Sequence, residues 1–178
     1  MAGTISPEAE ERRRSALAHV RKWGDPVLRE RARPVEAFDD ALRAEVTRMR
    51  ELLEDAMGAG LAATQIGVLS RICLYRLPDG PMQVLVNPEL TWVSEERETF
   101  DEGCLSLPGL WFEVERPNRV RVRARDEHGA EREFEATGQE ADVIQHEIDH
   151  LDGVLVLDRI SRKDRQAAVR QLRDRDRA

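Results

Sequence analysis

The chain has 178 residues, a length that fits one ordinary domain. With 40% apolar and 35% charged residues it can build one core, which excludes wholesale disorder, and no run approaches the roughly 18 apolar residues that cross a bilayer. A net charge of −7 argues against non-specific DNA binding by the whole surface, and two cysteines, Cys73 and Cys104, cannot build a disulfide scaffold. The first 18 residues contain no apolar stretch of the kind a secretory leader needs, so a reduced, cytoplasmic setting is expected.

Residues 5–18 predict an exposed helical lead-in with a thin apolar side, capped by Ser6 and with Pro7 in its first turn. Trp23-Gly24-Asp25-Pro26 reads as a turn. From Asp39 to Met57 the apolar residues Phe38, Leu42, Val46, Met49, Leu53 and Ala56 recur at steps of three and four. That is one face of a helix, stopped by Gly58 and Gly60. Strands are predicted at Arg71–Leu77 and Gln83–Val86, bounded by Pro78-Asp79-Gly80-Pro81 and Asn87-Pro88. Arg119–Arg125 alternates apolar and basic residues, and Glu131–Ala136 is its expected partner in a half-buried antiparallel hairpin. A second helix is predicted over Gln139–Leu151, ending near Gly153, then a short strand or extended run over Val154–Leu157. A polar tail helix from Ser161 to Arg177 follows, capped by Ser161 with Asp164 three residues on. This order predicts an α+β fold with antiparallel sheets rather than alternating βαβ units. The expected organisation is an N-terminal extension (1–18), a catalytic domain (19–160) and a C-terminal helix (161–178).

The sharpest chemical feature is His146-Glu147-Ile148-Asp149-His150. On a helix, positions i and i+4 share a face, so both imidazoles can reach one cation. Glu147 projects about 100° away from His146, so its carboxylate can reach a water beside the ion without being a ligand. A catalytic site needs a third ligand and an open position. The pattern H-E-x-x-H-x-x-G-x-x-H is excluded, because Val156 stands where its last His would be, and no Glu follows position 147. Asp152 and Asp158 remain formally available. Cys104 is the better candidate, in the Gly- and Pro-bounded segment Glu102-Gly103-Cys104-Leu105-Ser106-Leu107-Pro108, where a metal would hold it as thiolate. Cys73, inside Ile72-Cys73-Leu74, reads as a buried small hydrophobe. Gly58-Ala59-Gly60-Leu61-Ala62-Ala63-Thr64-Gln65 is weak by itself. It is not a phosphate loop, but its glycines let backbone pass close to a ligand, and Gln65 offers an uncharged amide donor.

Taken together, Gly58–Gln65, Glu102–Ser106 and Gln145–His150 resemble the three ordered motifs of peptide deformylases, G-x-G-L-A-A-x-Q, E-G-C-L-S and Q-H-E-x-D-H. The resemblance spans roughly Val20 to Ile160, with flanking matches at Gly24–Leu28 and Leu151-Asp152-Gly153. It implies that Cys104, His146 and His150 bind one divalent metal ion, commonly Fe²⁺ with Zn²⁺ or Ni²⁺ as alternatives. It further implies Glu147 as general base and acid, Gln65 and the backbone N–H of Leu105 as oxyanion donors, and Gly60 as a cleft residue meeting the substrate backbone. The implied activity is removal of the formyl group from N-formylmethionyl nascent chains, and the implied fold is antiparallel sheets around a central helix carrying the two histidines.

Three places refine that expectation. Gly138-Gln139-Glu140-Ala141-Asp142 replaces an apolar pair and a basic residue that wall the methionine pocket in the family, which predicts a weaker or altered preference at the first residue. Trp111 and Phe112 read as core anchors, with a substrate-contacting lip as the alternative, and Glu102 is expected to pair with Arg116 and hold the Cys104 loop. The tail, with seven cations and three anions between Arg162 and Arg177, reads as a solvated helix, with ribosomal RNA as a partner implied by the resemblance. A non-catalytic relative that binds peptide N-termini and an unrelated zinc endopeptidase are the competing readings. No membrane or DNA partner is expected.

Overall fold

The computed structural model describes residues 5–175, so the outermost residues of the predicted N-terminal extension and tail helix lie outside it. Helix α1 (Pro7–His19) begins as expected, with Ser6 Oγ accepting the Ala9 N–H at 3.2 Å. It is largely exposed, yet Ala16 and Leu17 pack toward helix α2 (Asp40–Ala56), and Arg12 faces Asp55. Asp39 caps α2 by accepting the Leu42 N–H at 3.1 Å. The stop of α2 differs from expectation. Met57 itself adopts the left-handed conformation (φ 55°), and its N–H returns to the last turn before either glycine is reached.

A five-stranded antiparallel sheet runs in the order β1 (Gly60–Ala62), β2 (Ile72–Tyr75), β3 (Gln83–Val93), β6 (Arg119–Arg125), β7 (Glu131–Thr137). A separate ribbon pairs β4 (Arg97–Gly103) with β5 (Trp111–Pro117). The period-two rule sorts β2 cleanly between two cores. Ile72 and Leu74 meet the α2 stripe of Leu42, Val46, Met49 and Leu53, whereas Cys73 and Tyr75 face helix α3 (Gln139–Leu151) through Ile144, Ile148 and Leu151. Each large apolar side chain buried there contributes about 1.5–3 kcal/mol. The β6–β7 hairpin has the predicted register, Arg119 opposite Thr137 through Arg125 opposite Glu131.

Strand β3 continues past the predicted stop at Asn87-Pro88. Asn87 takes φ 53° and Pro88 falls in a register shift, where a residue without an N–H costs no ladder bond. The Asn87 side chain fixes this bulge, accepting the Val35 N–H at 2.7 Å and donating to the Val35 carbonyl at 2.8 Å. Val154–Leu157 is not a strand. Val156–Asp158 form a 3₁₀ turn whose Asp158 carboxylate accepts the Leu155 N–H at 2.9 Å. Helix α4 (Arg162–Arg175) starts at the predicted Ser161 cap and buries Ala168 and Leu172 against Leu107 and Val114. No described helix is long and apolar enough to cross a membrane.

Candidate metal centre

Helix α3 sits under the sheet and buries every residue from Val143 to Leu151, including both histidines and Glu147. Cys104 arrives from the turn that follows β4, where the Leu107 N–H closes onto the Cys104 carbonyl at 2.9 Å. Its Sγ lies 3.2 Å from His150 Nε2, which lies 3.2 Å from His146 Nε2. A tetrahedral ion with ordinary bond lengths separates its nitrogens by about 3.3 Å and nitrogen from sulfur by about 3.6 Å, so the three atoms are close to the edges of one coordination polyhedron. Among the described residues these three form the cluster able to hold a metal. Asp152 and Asp158, open as alternatives in the sequence, are engaged elsewhere, with Arg71 at 2.8 Å and with Arg29 respectively.

The donor chemistry fits a cation. Burial alone would push the Cys104 thiol up, but the charge of His150 and hydrogen bonds from both histidines outweigh it and hold the thiol well below its ordinary value. His146 Nδ1 lies 2.7 Å from Glu102 Oε2. Glu102 is pinned as an acceptor by Arg116, through Nε at 2.5 Å and Nη2 at 3.0 Å. Burial would raise Glu102, but the His146 and Arg116 bonds pull it down to about 2. An ionised carboxylate can only accept, so His146 Nδ1 donates to it and Nε2 is the atom turned to the cluster, where its lone pair would be free once a cation took the place of the proton it shares with Cys104. Arg116 also donates from Nη1 to Asp149 Oδ2 at 2.9 Å, and Arg159 clamps Asp149 from its other side. The expected Glu102–Arg116 pair is therefore one part of a buried network that joins both strands of the ribbon to α3.

Glu147 is 3% exposed, and its Oε2 has no protein partner. Burial raises its carboxyl to about 7, against the opposing pull of His146 and His150. A cation beside it would lower that value. Gly60 explains how this carboxylate finds room, because a Cβ added there would collide with its Oε1, Cδ and Cγ. The Gly60 Cα thus faces the Glu147 side chain, a constraint that its place in a Gly-rich motif did not reveal. Gly60→Ala is expected to displace Glu147 and lower turnover on the order of 10²-fold, with metal content unchanged, as measured by kcat alongside elemental analysis.

Gln65 is buried and oriented by its own backbone neighbourhood. Its Oε1 accepts the Ala62 N–H at 2.9 Å, which leaves Nε2 to donate to Ser106 Oγ at 3.1 Å and to lie 3.7 Å from Cys104 Sγ. Leu105 follows Cys104 on the cleft wall. Cys73 is fully buried and its thiol is pushed well up by burial, as expected of a packing residue.

A cleft of about 440 Å³ opens over these groups. One wall is Met57–Gly60, running into the edge strand β1; the other is Asp101–Leu105, at the end of β4, whose only ladder partner is β5. Gln139, Asp142 and Val143 of α3 line its end. Of the unusual run, Glu140 turns away to accept from Tyr75 Oη at 2.8 Å, and Asp142 lies 3.5 Å from Arg116 Nε. Burial and the charge of Glu102 raise Asp142 to about 7. The aromatic pair divides against expectation. Phe112 packs into the α4 core, whereas Trp111 is 71% exposed on the cleft rim, because neighbours on a strand face opposite sides.

A helix bearing H-E-x-x-H, a thiolate from a separate turn and an open cleft between two strand edges define a metallohydrolase. The family profile described as polypeptide deformylase matches residues 17–166, and the chain belongs to that family. It is 45% identical to a peptide deformylase from Thermotoga neapolitana over 158 residues, 89% of this chain and 96% of that one. It is 45% identical to one from Acidothermus cellulolyticus over 159 residues, 89% and 87%. A crystal structure of a peptide deformylase from Legionella pneumophila superposes with a TM-score of 0.83 at 38% identity, covering 89% of this chain and 94% of that chain.

Proposed function

We propose that this chain hydrolyses the N-terminal formyl group of N-formylmethionyl nascent peptides and releases formate. Cys104, His146 and His150 hold one divalent ion in this reading, and residues 19–160 carry the chemistry, flanked by the appended segments 1–18 and 161–178. The observation that carries it is the Glu147 carboxylate, buried beside three converging donors with one oxygen free of protein partners. A formamide is a poor electrophile and water a poor nucleophile at neutral pH. The bound cation supplies Lewis acidity that eases both difficulties. Glu147 takes the proton of the attacking water and passes it to the leaving amine nitrogen. Gln65 Nε2 and the Leu105 N–H are the donors for the oxygen that gains charge, and Gln65 is already aimed by its bond to Ala62. Thiolate and imidazole suit iron and zinc; Fe²⁺ is our assignment, with Zn²⁺ or Ni²⁺ as alternatives.

The peptide lies extended between the edges of β1 and β4, its formyl end at the metal cluster and its first side chain toward Gln139, Asp142 and Val143. The two polar groups there weaken the preference for methionine. We assign the protein to the cytoplasm, and the basic face of α4 to ribosome docking. A pure binder of peptide N-termini has no use for a base at position 147, which favours catalysis.

The test is formate release from formyl-Met-Ala-Ser by protein prepared without oxygen, with metal content read on the same sample and casein as control. Metal-replete protein that releases no formate overturns the reading. Cys104→Ala is expected to lose its metal on gel filtration, measured by elemental analysis, because two neutral imidazoles remain where a charged thiolate had closed the set.

A further inference from the structure

Residues 12–14 of α1 are three consecutive arginines. Arg12 faces Asp55 at 3.5 Å and Arg14 pairs with Glu11. Arg13 differs. Its Nε donates to the Ala56 carbonyl at 3.4 Å, and among the described residues no carboxylate lies within ion-pair reach of it. Arg13 and Leu17 stand one turn apart on the same helix face, and both line the cleft over the metal cluster. The helix that carries them is anchored. Ala16 and Val20 are buried, and Lys22 Nζ closes its C-terminal end by donating to the Leu17 and Val20 carbonyls, each at 2.6 Å. The match to the deformylase profile begins at residue 17, so Arg13 is a cleft residue contributed by the appended segment.

The cleft wall that faces the ribbon runs from Gly60 outward to Met57. Gly60 abuts Glu147, so the formyl end of the peptide lies beside Gly60. An extended chain advances about 3.3 Å per residue. A peptide that follows this wall outward therefore brings its third residue abreast of Met57 and Ala56, where the Arg13 guanidinium is held. We propose that Arg13 binds a carboxylate side chain on the third residue of the substrate, which gives the appended N-terminal helix a part in choosing among nascent chains. This rests on the deformylase reading and adds to it a charge preference supplied from outside the family profile. With Nε engaged by Ala56, the N–H groups of both Nη atoms remain, and a guanidinium meets a carboxylate through paired N–H···O bonds. On the facing wall Glu102 is neutralised by Arg116, whereas Asp101 is exposed and repels an acidic group. An acidic side chain is thus favoured on the α1 side of the mouth and disfavoured on the ribbon side.

The test compares formyl-Met-Ala-Glu-Ala with formyl-Met-Ala-Gln-Ala, both amidated at the C-terminus so that the two differ in one charge. The kcat/KM for the Glu peptide is expected to exceed that for the Gln peptide by roughly three- to fivefold at low salt, through KM rather than kcat. The ratio should shrink toward one at about 1 M salt, where screening acts within ~3 Å. Arg13→Gln should bring the low-salt ratio to one or below, and Arg13→Lys should retain part of it. A wild-type ratio at or below one overturns the inference. So does a ratio that survives Arg13→Gln, whatever that variant does to the melting midpoint, since Arg13 would then only hold the end of α2. An equal gain when the Glu and Gln residues are moved to the second position overturns it as well. Calorimetric binding of the same two peptides without the formyl group separates this from the deformylase reading. If no peptide yields formate, that reading fails, yet tighter binding of the Glu peptide that Arg13→Gln abolishes still upholds the role of Arg13. Equal binding of the two peptides overturns it.

Discussion

Glu147→Gln is expected to lower formate release from formyl-Met-Ala-Ser by about 10²–10⁴-fold, the usual worth of a positioned general acid–base. The amide is nearly isosteric with the carboxyl group, so the fit beneath Gly60 is preserved and the Cys104, His146 and His150 cluster is untouched. Metal content should therefore remain at the wild-type level while turnover collapses. The two measurements belong on one sample, because a parallel loss of metal would show that Glu147 acts on the cluster and not on the proton. Retained turnover would remove Glu147 from the chemistry altogether.

Arg116→Ala is the second large effect. The guanidinium is 4% exposed and satisfies Glu102 and Asp149 at once. Removing it leaves two buried carboxylates short of their counter-charge, a change that costs about 3–5 kcal/mol when a buried pair is broken. Urea unfolding should report that loss as a lower midpoint. A second consequence follows through Glu102, whose carboxylate receives the His146 Nδ1 proton. Without Arg116, Glu102 is no longer held down at about 2 and orients His146 less firmly. Loss of such a supporting partner weakens metal affinity by about 10–100-fold. Competition against a chelator measures it, and unchanged metal retention in Arg116→Ala would detach the network from the metal site.

The amino-acid pattern determined a good part of this protein unaided. Helix α3 was legible end to end, since its apolar stripe and histidine spacing coincide with a 3.6-residue period. The β6–β7 hairpin was legible because one side of each strand is buried and the other solvated. His146, Glu147 and His150 lie within one helical turn, so local geometry alone puts them together. Gln65 and Leu105 carry no such local signature, and their proposed roles came from the ordered motifs.

Tertiary structure decided the rest, for reasons that concern distance along the chain. The Glu102–Arg116 pair was anticipated, but the β4–β5 ribbon that carries it was not, because two of its inward positions are charged residues. Polarity patterns read such a segment as solvated. Met57 closes α2 in a left-handed conformation that favours glycine, and no residue-type rule places it there. Phe112 and Trp111 are adjacent, bulky and aromatic, yet strand geometry buries one and sets the other on the rim. Gly60 and Glu147 are 87 positions apart in the chain. Only folding brings them so close that the absence of one side chain makes room for another.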